Sequence, residues 1–211
     1  MGKIKNIIFD FGGVLITIDQ PQAVKRFQQI GLTDADKRLD SYTQSGIFGE
    51  LESGKINAEQ FRQKLSDIIG KDLTSEECAF AWQGYCGELP QRNLDTLLML
   101  KKQGYRLILM SNNNPFVMGW ALSESFDGNG HPIDYYFDAL YISYQHGLMK
   151  PDQAFFRKVL EIEDIQPEET LFIDDGFQNI AAAKNLRIQT FCPENGADWT
   201  KEIYFHLNQK Q

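Results

Sequence analysis

The sequence predicts an α/β fold: a three-layer parallel sheet core with an inserted α-helical cap domain. Three observations carry this. Residues 7–15 read Ile-Ile-Phe-Asp-Phe-Gly-Gly-Val-Leu, a short apolar run that ends in an acid and two glycines. Residues 20–90 carry helix signals and no strand signals, and from Leu89 onward helix and strand patterns alternate. An apolar run emptying into an acid is how a buried parallel strand looks where it opens on a ligand crevice. Alternating helix and strand implies parallel strands with helices on both faces. The expected organisation is a Rossmann-like core from residues 1–19 and 91–211, with residues 20–90 inserted after the first strand as a helical cap placed to cover the crevice.

Taken in order, Pro21 suits the start of a helix over 23–30, which Gly31 closes. Residues 48–56 read as a turn. Asn57 then serves as an N-cap with Gln60 three residues on, a capping box, and Phe61, Leu65 and Ile68 share the inward face. Thr74 and Glu77 open another helix that carries Phe80, Ala81 and Tyr85 inward. Leu94, Leu97, Leu98 and Leu100 form an apolar stripe ended by Gly104. Strands are expected over 106–110, 138–143, 170–173 and 188–191. Helices built on Phe155, Phe156, Val159 and Leu160 and on residues 179–184 lie between them. The aromatic residues Tyr42, Phe48, Trp82 and Tyr85 read as packing within the insertion, with one or two facing the crevice.

The chain has 211 residues, 42% hydrophobic and 24% charged, the balance of an ordinary globular protein. A formal charge of −8 argues against nucleic-acid and anionic-membrane partners, whose phosphates it would repel. A small phosphorylated substrate remains compatible, because a bound cation reverses the local field. No apolar run reaches the ~20 residues of a membrane span. The N-terminus lacks the features of a signal peptide. Three cysteines, Cys78, Cys86 and Cys192, show no metal-ligand spacing, so a cytoplasmic protein with reduced thiols is expected. Monomer and homodimer both stay open.

Three further segments resemble the first: Met110 precedes Ser111-Asn112-Asn113, Met149 precedes Lys150-Pro151, and Ile173 precedes Asp174-Asp175-Gly176. In a parallel sheet they share one rim with Asp10. A carboxylate is ionised at pH 7 and needs no base to attack phosphorus, but a phosphate dianion repels it. A Mg²⁺ ion held by one or two carboxylates removes that repulsion, and Asp10 with Asp174 and Asp175 supplies the ligands. Lys150, the Ser111 hydroxyl and loop amides would hold the other phosphoryl oxygens.

These four motifs, in this order and spacing, resemble the haloacid dehalogenase superfamily, and the insertion stands where that family has its cap. The runs Phe-Asp-Phe-Gly-Gly-Val, Gly-Glu-Leu-Glu-Ser-Gly-Lys-Ile, Met-Lys-Pro-Asp and Phe-Ile-Asp-Asp are similar to the branch of sugar-1-phosphate phosphatases and the phosphatase domain of soluble epoxide hydrolases. The resemblance implies Asp10 as nucleophile and Ser111 with the Asn112 amide as phosphate contacts. It makes Lys150 the neutralising cation, Asp175 a direct metal ligand and Asp174 the acid behind it. Phe11 would contribute an amide to the phosphate and Gly12 a carbonyl to the metal. The sequence departs from the family at position 12, where most members carry the acid that protonates the leaving alcohol; here it is Gly12. Asp19 is a candidate substitute. The implied activity is Mg²⁺-dependent hydrolysis of a small phosphorylated metabolite, a sugar phosphate among the candidates. Two alternatives stand beside it, a 2-haloacid dehalogenase and a phosphate-binding module with little turnover. His131 reads as a solvated loop residue and His146 as a bystander near the rim.

Overall fold

The computed structural model describes residues 3–41 and 43–208; Tyr42, assigned above to packing, lies outside them. Strand β1 (Asn6–Phe9) is followed by α1 (Gln20–Gln29), α2 (Ala35–Arg38), α3 (Gly46–Glu52), α4 (Ala58–Ile69), α5 (Ser75–Trp82) and α6 (Gln91–Lys102). Then come β2 (Arg106–Ser111), α7 (Pro115–Ala121), β3 (Ala139–Ile142), α8 (Ser143–His146), α9 (Gln153–Glu163), β4 (Thr170–Ile173), α10 (Phe177–Asn185), β5 (Gln189–Phe191) and α11 (Ile203–Leu207). The sheet order is β3-β2-β1-β4-β5, and all pairs are parallel. β1 is thus the central strand, flanked on either side by chains that arrive through helical crossovers.

The strands are apolar on both faces because both are covered. Ile8, Ile108, Met110 and Phe172 pack under Phe155, Phe156, Val159 and Ile180 from α9 and α10. Ile7, Phe9, Leu107, Leu109 and Ile173 face the other way and join a cluster that runs without a break into the inserted helices. There Trp82 sits among Phe27, Phe48 and Phe61, with ring centroids 5.7, 5.7 and 5.8 Å away. Phe116 of α7 meets Phe61 at 5.8 Å and links this aromatic group to the sheet side. The chain enters and leaves the insertion through one hydrogen-bonded neck: Thr17 N donates to Glu88 O, Gly87 N to Thr17 O, and Asp19 N to Tyr85 O.

Both expected capping boxes form, on Asn57 with Gln60 and on Thr74 with Glu77. Several expectations need correction. Residues 46–52 are a helix, and the turn falls after it, at residues 53–56. Ile68, Phe80 and Leu98, expected inward, are 43%, 44% and 38% exposed. Ile68 and Leu98 lie at the edges of their helices' apolar faces, where the packed partners end; Phe80 points away from the buried Cys78, Ala81 and Trp82 and is covered by the Arg26 guanidinium. The third strand is shorter than 138–143: Asp138 donates its N–H to Leu107 O but takes Leu107 N on its carboxylate rather than in a strand ladder, and Ser143 opens α8. Residues 115–121, given no element above, are helical, because Asn114 Oδ1 accepts from Phe116 N and Val117 N. His131 is not simply solvated: its Nδ1 meets Asp127 Oδ2 at 2.9 Å and its ring stacks on Tyr135 at 4.3 Å. His146 is the expected bystander, stacked on Tyr141 at 5.4 Å.

Candidate active site

Parallel register explains why distant residues meet. Phe9 pairs with Ile173 and with Leu109, so the next residues, Asp10 and Asp174, leave neighbouring strands side by side. Ser111 ends β2 two positions further along. All three open on the carboxyl end of the sheet, where the connections leaving β1 and β4 run to opposite sides, the switch point at which such sheets bind ligands. The crevice is a cleft of about 430 Å³ between this rim and the inserted helices, within the size range of small-molecule sites.

Lys150 organises the rim. Its Nζ lies 2.8 Å from Asp10 Oδ1 and 2.6 Å from Asp174 Oδ2, and its side chain is 1% exposed. The loop that carries it is clamped by Asn112: Nδ2 donates to Lys150 O and Oδ1 accepts from Lys150 N, each at 2.8 Å. Asp174 is fully engaged, since Oδ1 also accepts from Gly176 N at 2.7 Å and from Asn179 Nδ2 at 2.9 Å. Asp175 contrasts with it. Its Oδ2 is buried with no hydrogen-bond partner among the described residues. It packs directly against Gly13, where φ is +75° and any Cβ would collide with the carboxylate. Only glycine permits both that backbone and that approach.

Three carboxylates, Asp10, Asp174 and Asp175, bring oxygens within 4.8 Å of one another against one ammonium. Burial raises the Asp10 carboxyl to about 8; Lys150 pulls it down, while Asp174 and Asp175 push it up. Burial and then Asp174 raise Asp175 to about 6. Burial works against the Lys150 charge, yet Asp10 and Asp174 outweigh it and hold the ammonium above its ordinary range. An orphaned buried oxygen, an excess of negative charge and an all-oxygen donor set fit a hard divalent cation such as Mg²⁺.

The expected residues Asp10, Phe11, Gly12, Ser111, Asn112, Lys150 and Asp175 all line the cleft, and Asp174 lies buried behind them. One differs in detail from expectation. Phe11 N donates to Asp10 Oδ1 at 2.6 Å. The Asn112 side chain spends itself on positioning Lys150. Asp19 is not brought into the cleft; it caps α1 by accepting from Gln22 N at 2.9 Å. Sequence reasoning missed Gly13, Asn179, Ser143 and Glu52. Asn179 had a readable signal, five residues after Asp174 and one turn into α10. The burial of Glu52 had none, because it depends on how the insertion folds over the rim.

A parallel α/β core with a lysine-bridged acid cluster at its switch point suits chemistry centred on a carboxylate. Residues 4–187 match the model of the haloacid dehalogenase-like hydrolases, and the chain belongs to that family. It is 50% identical to a D-ribitol-5-phosphate phosphatase of Bacteroides thetaiotaomicron, over 97% of this chain and 99% of that protein. Its fold superposes on a predicted HAD-like family hydrolase from Porphyromonas gingivalis with a TM-score of 0.94, at 40% identity, covering 99% and 100% of the two chains. It superposes also on a HAD family enzyme of B. thetaiotaomicron in complex with magnesium and inorganic phosphate, with a TM-score of 0.87 and 33% identity over 94% and 98%.

Proposed function

We propose that this chain is a Mg²⁺-dependent phosphatase that hydrolyses a small phosphorylated metabolite, a sugar or sugar-alcohol phosphate, through an aspartyl-phosphate on Asp10. The observation that carries the reading is the contrast within the acid cluster. Asp10 is bridged to Lys150 at the mouth of the cleft, and beside it Asp175 keeps an orphaned buried oxygen. That arrangement suits an anionic ester, which brings the negative charge that Lys150 is placed to meet. The 50% identical relative, named for ribitol 5-phosphate, supports a polyol phosphate.

In this mechanism Asp10 and Asp175 would hold Mg²⁺ with the Gly12 carbonyl, and Asp174 stands behind them, tied to Lys150 and Asn179. The ion supplies charge neutralisation for the phosphoryl oxygens. Asp10, whose carboxylate the cation and the Lys150 ammonium would keep ionised, attacks phosphorus, and Lys150, Ser111 and the amides of Phe11 and Asn112 hold the transferring group. Water then attacks the phosphorylated Asp10 and restores the carboxylate. Residues 20–90 form the cap that excludes bulk water and selects the substrate, and Trp82 and Tyr85 line the cleft from that side. The free thiols Cys78, Cys86 and Cys192 suit a cytoplasmic setting.

Phosphate release from ribitol 5-phosphate and a panel of sugar phosphates tests the reading. Wild-type protein with Mg²⁺ is expected to release phosphate, EDTA to stop it, and Asp10→Asn to abolish it with the fold intact. A fully active Asp10→Asn variant overturns it. Phosphate release unaffected by EDTA would favour a metal-independent dehalogenase-type site, and binding without release a phosphate-binding module.

A further inference from the structure

Cleavage of an alkyl phosphate ester leaves a strongly basic alkoxide, and Gly12 has no proton to offer it. A side chain there would have to displace Ile18, since a Cβ at position 12 would lie 2.6 Å from Ile18 Cδ1. Ile18 hydrocarbon fills the place of the acid that most of the family carries. Among the described residues, three carboxyl side chains line the cleft: Asp10, Asp175 and Glu52. The first two belong to the cluster around Lys150. Glu52 stands apart from it, on the insertion side.

Glu52 has the properties of an acid held in reserve. It ends α3, is 8% exposed, and its carboxyl makes no hydrogen bond or ion pair among the described residues. An unpaired buried carboxyl keeps its proton, and burial raises this one to about 8. α3 packs on α4 and α8; no charged group on either contributes to that shift, and the titratable neighbour that senses Glu52 is the Tyr85 phenol. The other protic groups of this wall serve elsewhere. Tyr85 Oη donates to Asp40 O at 2.9 Å, and burial pushes the Cys86 thiol up to about 12.

Glu52 is also fixed relative to the phosphate end. The buried Ser143 hydroxyl donates to Glu52 O at 2.6 Å and accepts from Asn113 N at 3.0 Å, joining the end of α3 to the loop after Ser111. Two residues on, Gly54 lies so close to Tyr144 O that a Cβ would collide with it. Trp82, which also lines the cleft, has a buried Nε1 with no acceptor among the described residues. An unpaired acid and an unpaired N–H among the lining residues suit a hydroxyl-bearing leaving group.

We propose that Glu52, from the inserted helices, is the general acid that protonates the leaving alkoxide. The proposal rests on the phosphatase reading above. Asp10 Oδ forms a bond to phosphorus as the ester P–O bond breaks, and the electron pair left on the alkoxide oxygen takes the Glu52 proton to give the alcohol. In the second half, Glu52 carboxylate accepts a proton from water as that water attacks phosphorus. The P–O bond to Asp10 breaks, phosphate leaves, and both carboxyl groups return to their starting states.

The test compares a sugar-alcohol phosphate with 4-nitrophenyl phosphate, whose leaving group departs as an anion, in the Mg²⁺-loaded enzyme. Glu52→Gln should lower kcat/KM for the alkyl ester by about 10²–10⁴-fold and lower it far less for the aryl ester. Equal losses on both, or no loss on the alkyl ester, overturn the proposal. The wild-type enzyme gives a second measurement that needs no variant. Its activity should fall at high pH for the alkyl ester along a limb that the aryl ester lacks, and superimposable pH profiles overturn the proposal. Failure of the phosphatase reading looks different, since the wild type would then release phosphate from neither ester.

Discussion

Asn179 shows how much of this site is held by residues outside the four motifs. Its Nδ2 lies 2.9 and 3.1 Å from the two oxygens of Asp174, which in turn holds Lys150. Removing such an outer partner costs about 10–100-fold in metal affinity. Asn179→Ala should therefore weaken Mg²⁺ binding by that amount in a calorimetric titration while leaving the fold unchanged. Glu52 gives a pH prediction of its own. Burial raises its carboxyl from 4.5 to about 8, so between those values the folded chain holds a proton that the unfolded chain has released. Stability from this group therefore falls as pH rises through that window, by at most about 1.4 kcal/mol per pH unit. Glu52→Gln should flatten the fall, and melts of both proteins at pH 5.5 and pH 8 measure the difference. Asp10, Ser111, Lys150, Asp174 and Asp175 were legible in the sequence because each follows an apolar strand or stands at the start of a loop. Gly13 and Glu52 were not, since the closeness of Asp175 to one and the burial of the other arise only when separate segments pack.

Among the elements, α4 and α5 were readable from their caps, because Asn57 with Gln60 and Thr74 with Glu77 are local patterns that need no tertiary context. α3 lacked that signal: Ser45 makes no side-chain cap bond, and Gly46 and Gly49 lower helix propensity. What holds it is Phe48, whose ring meets Phe27 and Phe61 at 5.4 Å each and Trp82 at 5.7 Å. Tertiary packing overrides propensity here, and it left Ile68 outside, because helical periodicity gives the direction of a face but not its width. Phe48→Ala should cost about 3–5 kcal/mol, measured by denaturant unfolding. Because α3 also carries Glu52, the variant should lose activity under conditions where most of the population is still folded.

The whole molecule follows from parallel strands that all end on one rim, and that much was written in the alternation after Leu89. The sequence pattern divides the chain at residues 20 and 90, whereas the apolar cluster does not: it continues from Leu107 and Phe9 through Phe116 to Phe61 and Trp82. A contiguous core of this kind unfolds as one unit. Heating should give a single transition, reported alike by tryptophan fluorescence, which is sensitive to Trp82 in the insertion, and by far-ultraviolet circular dichroism. Two resolved transitions would mean that the neck at Thr17 and Glu88 insulates the insertion from the sheet. Mg²⁺ then probes the site through the same transition. A ligand that binds only the folded state adds about 2.7 kcal/mol at a hundred times its dissociation constant. The melting temperature should rise with Mg²⁺ concentration in the wild type. In Asp175→Asn, which replaces the orphaned carboxylate oxygen by a neutral amide, the rise should shrink or vanish. An equal rise in both proteins would place the ion elsewhere in the fold.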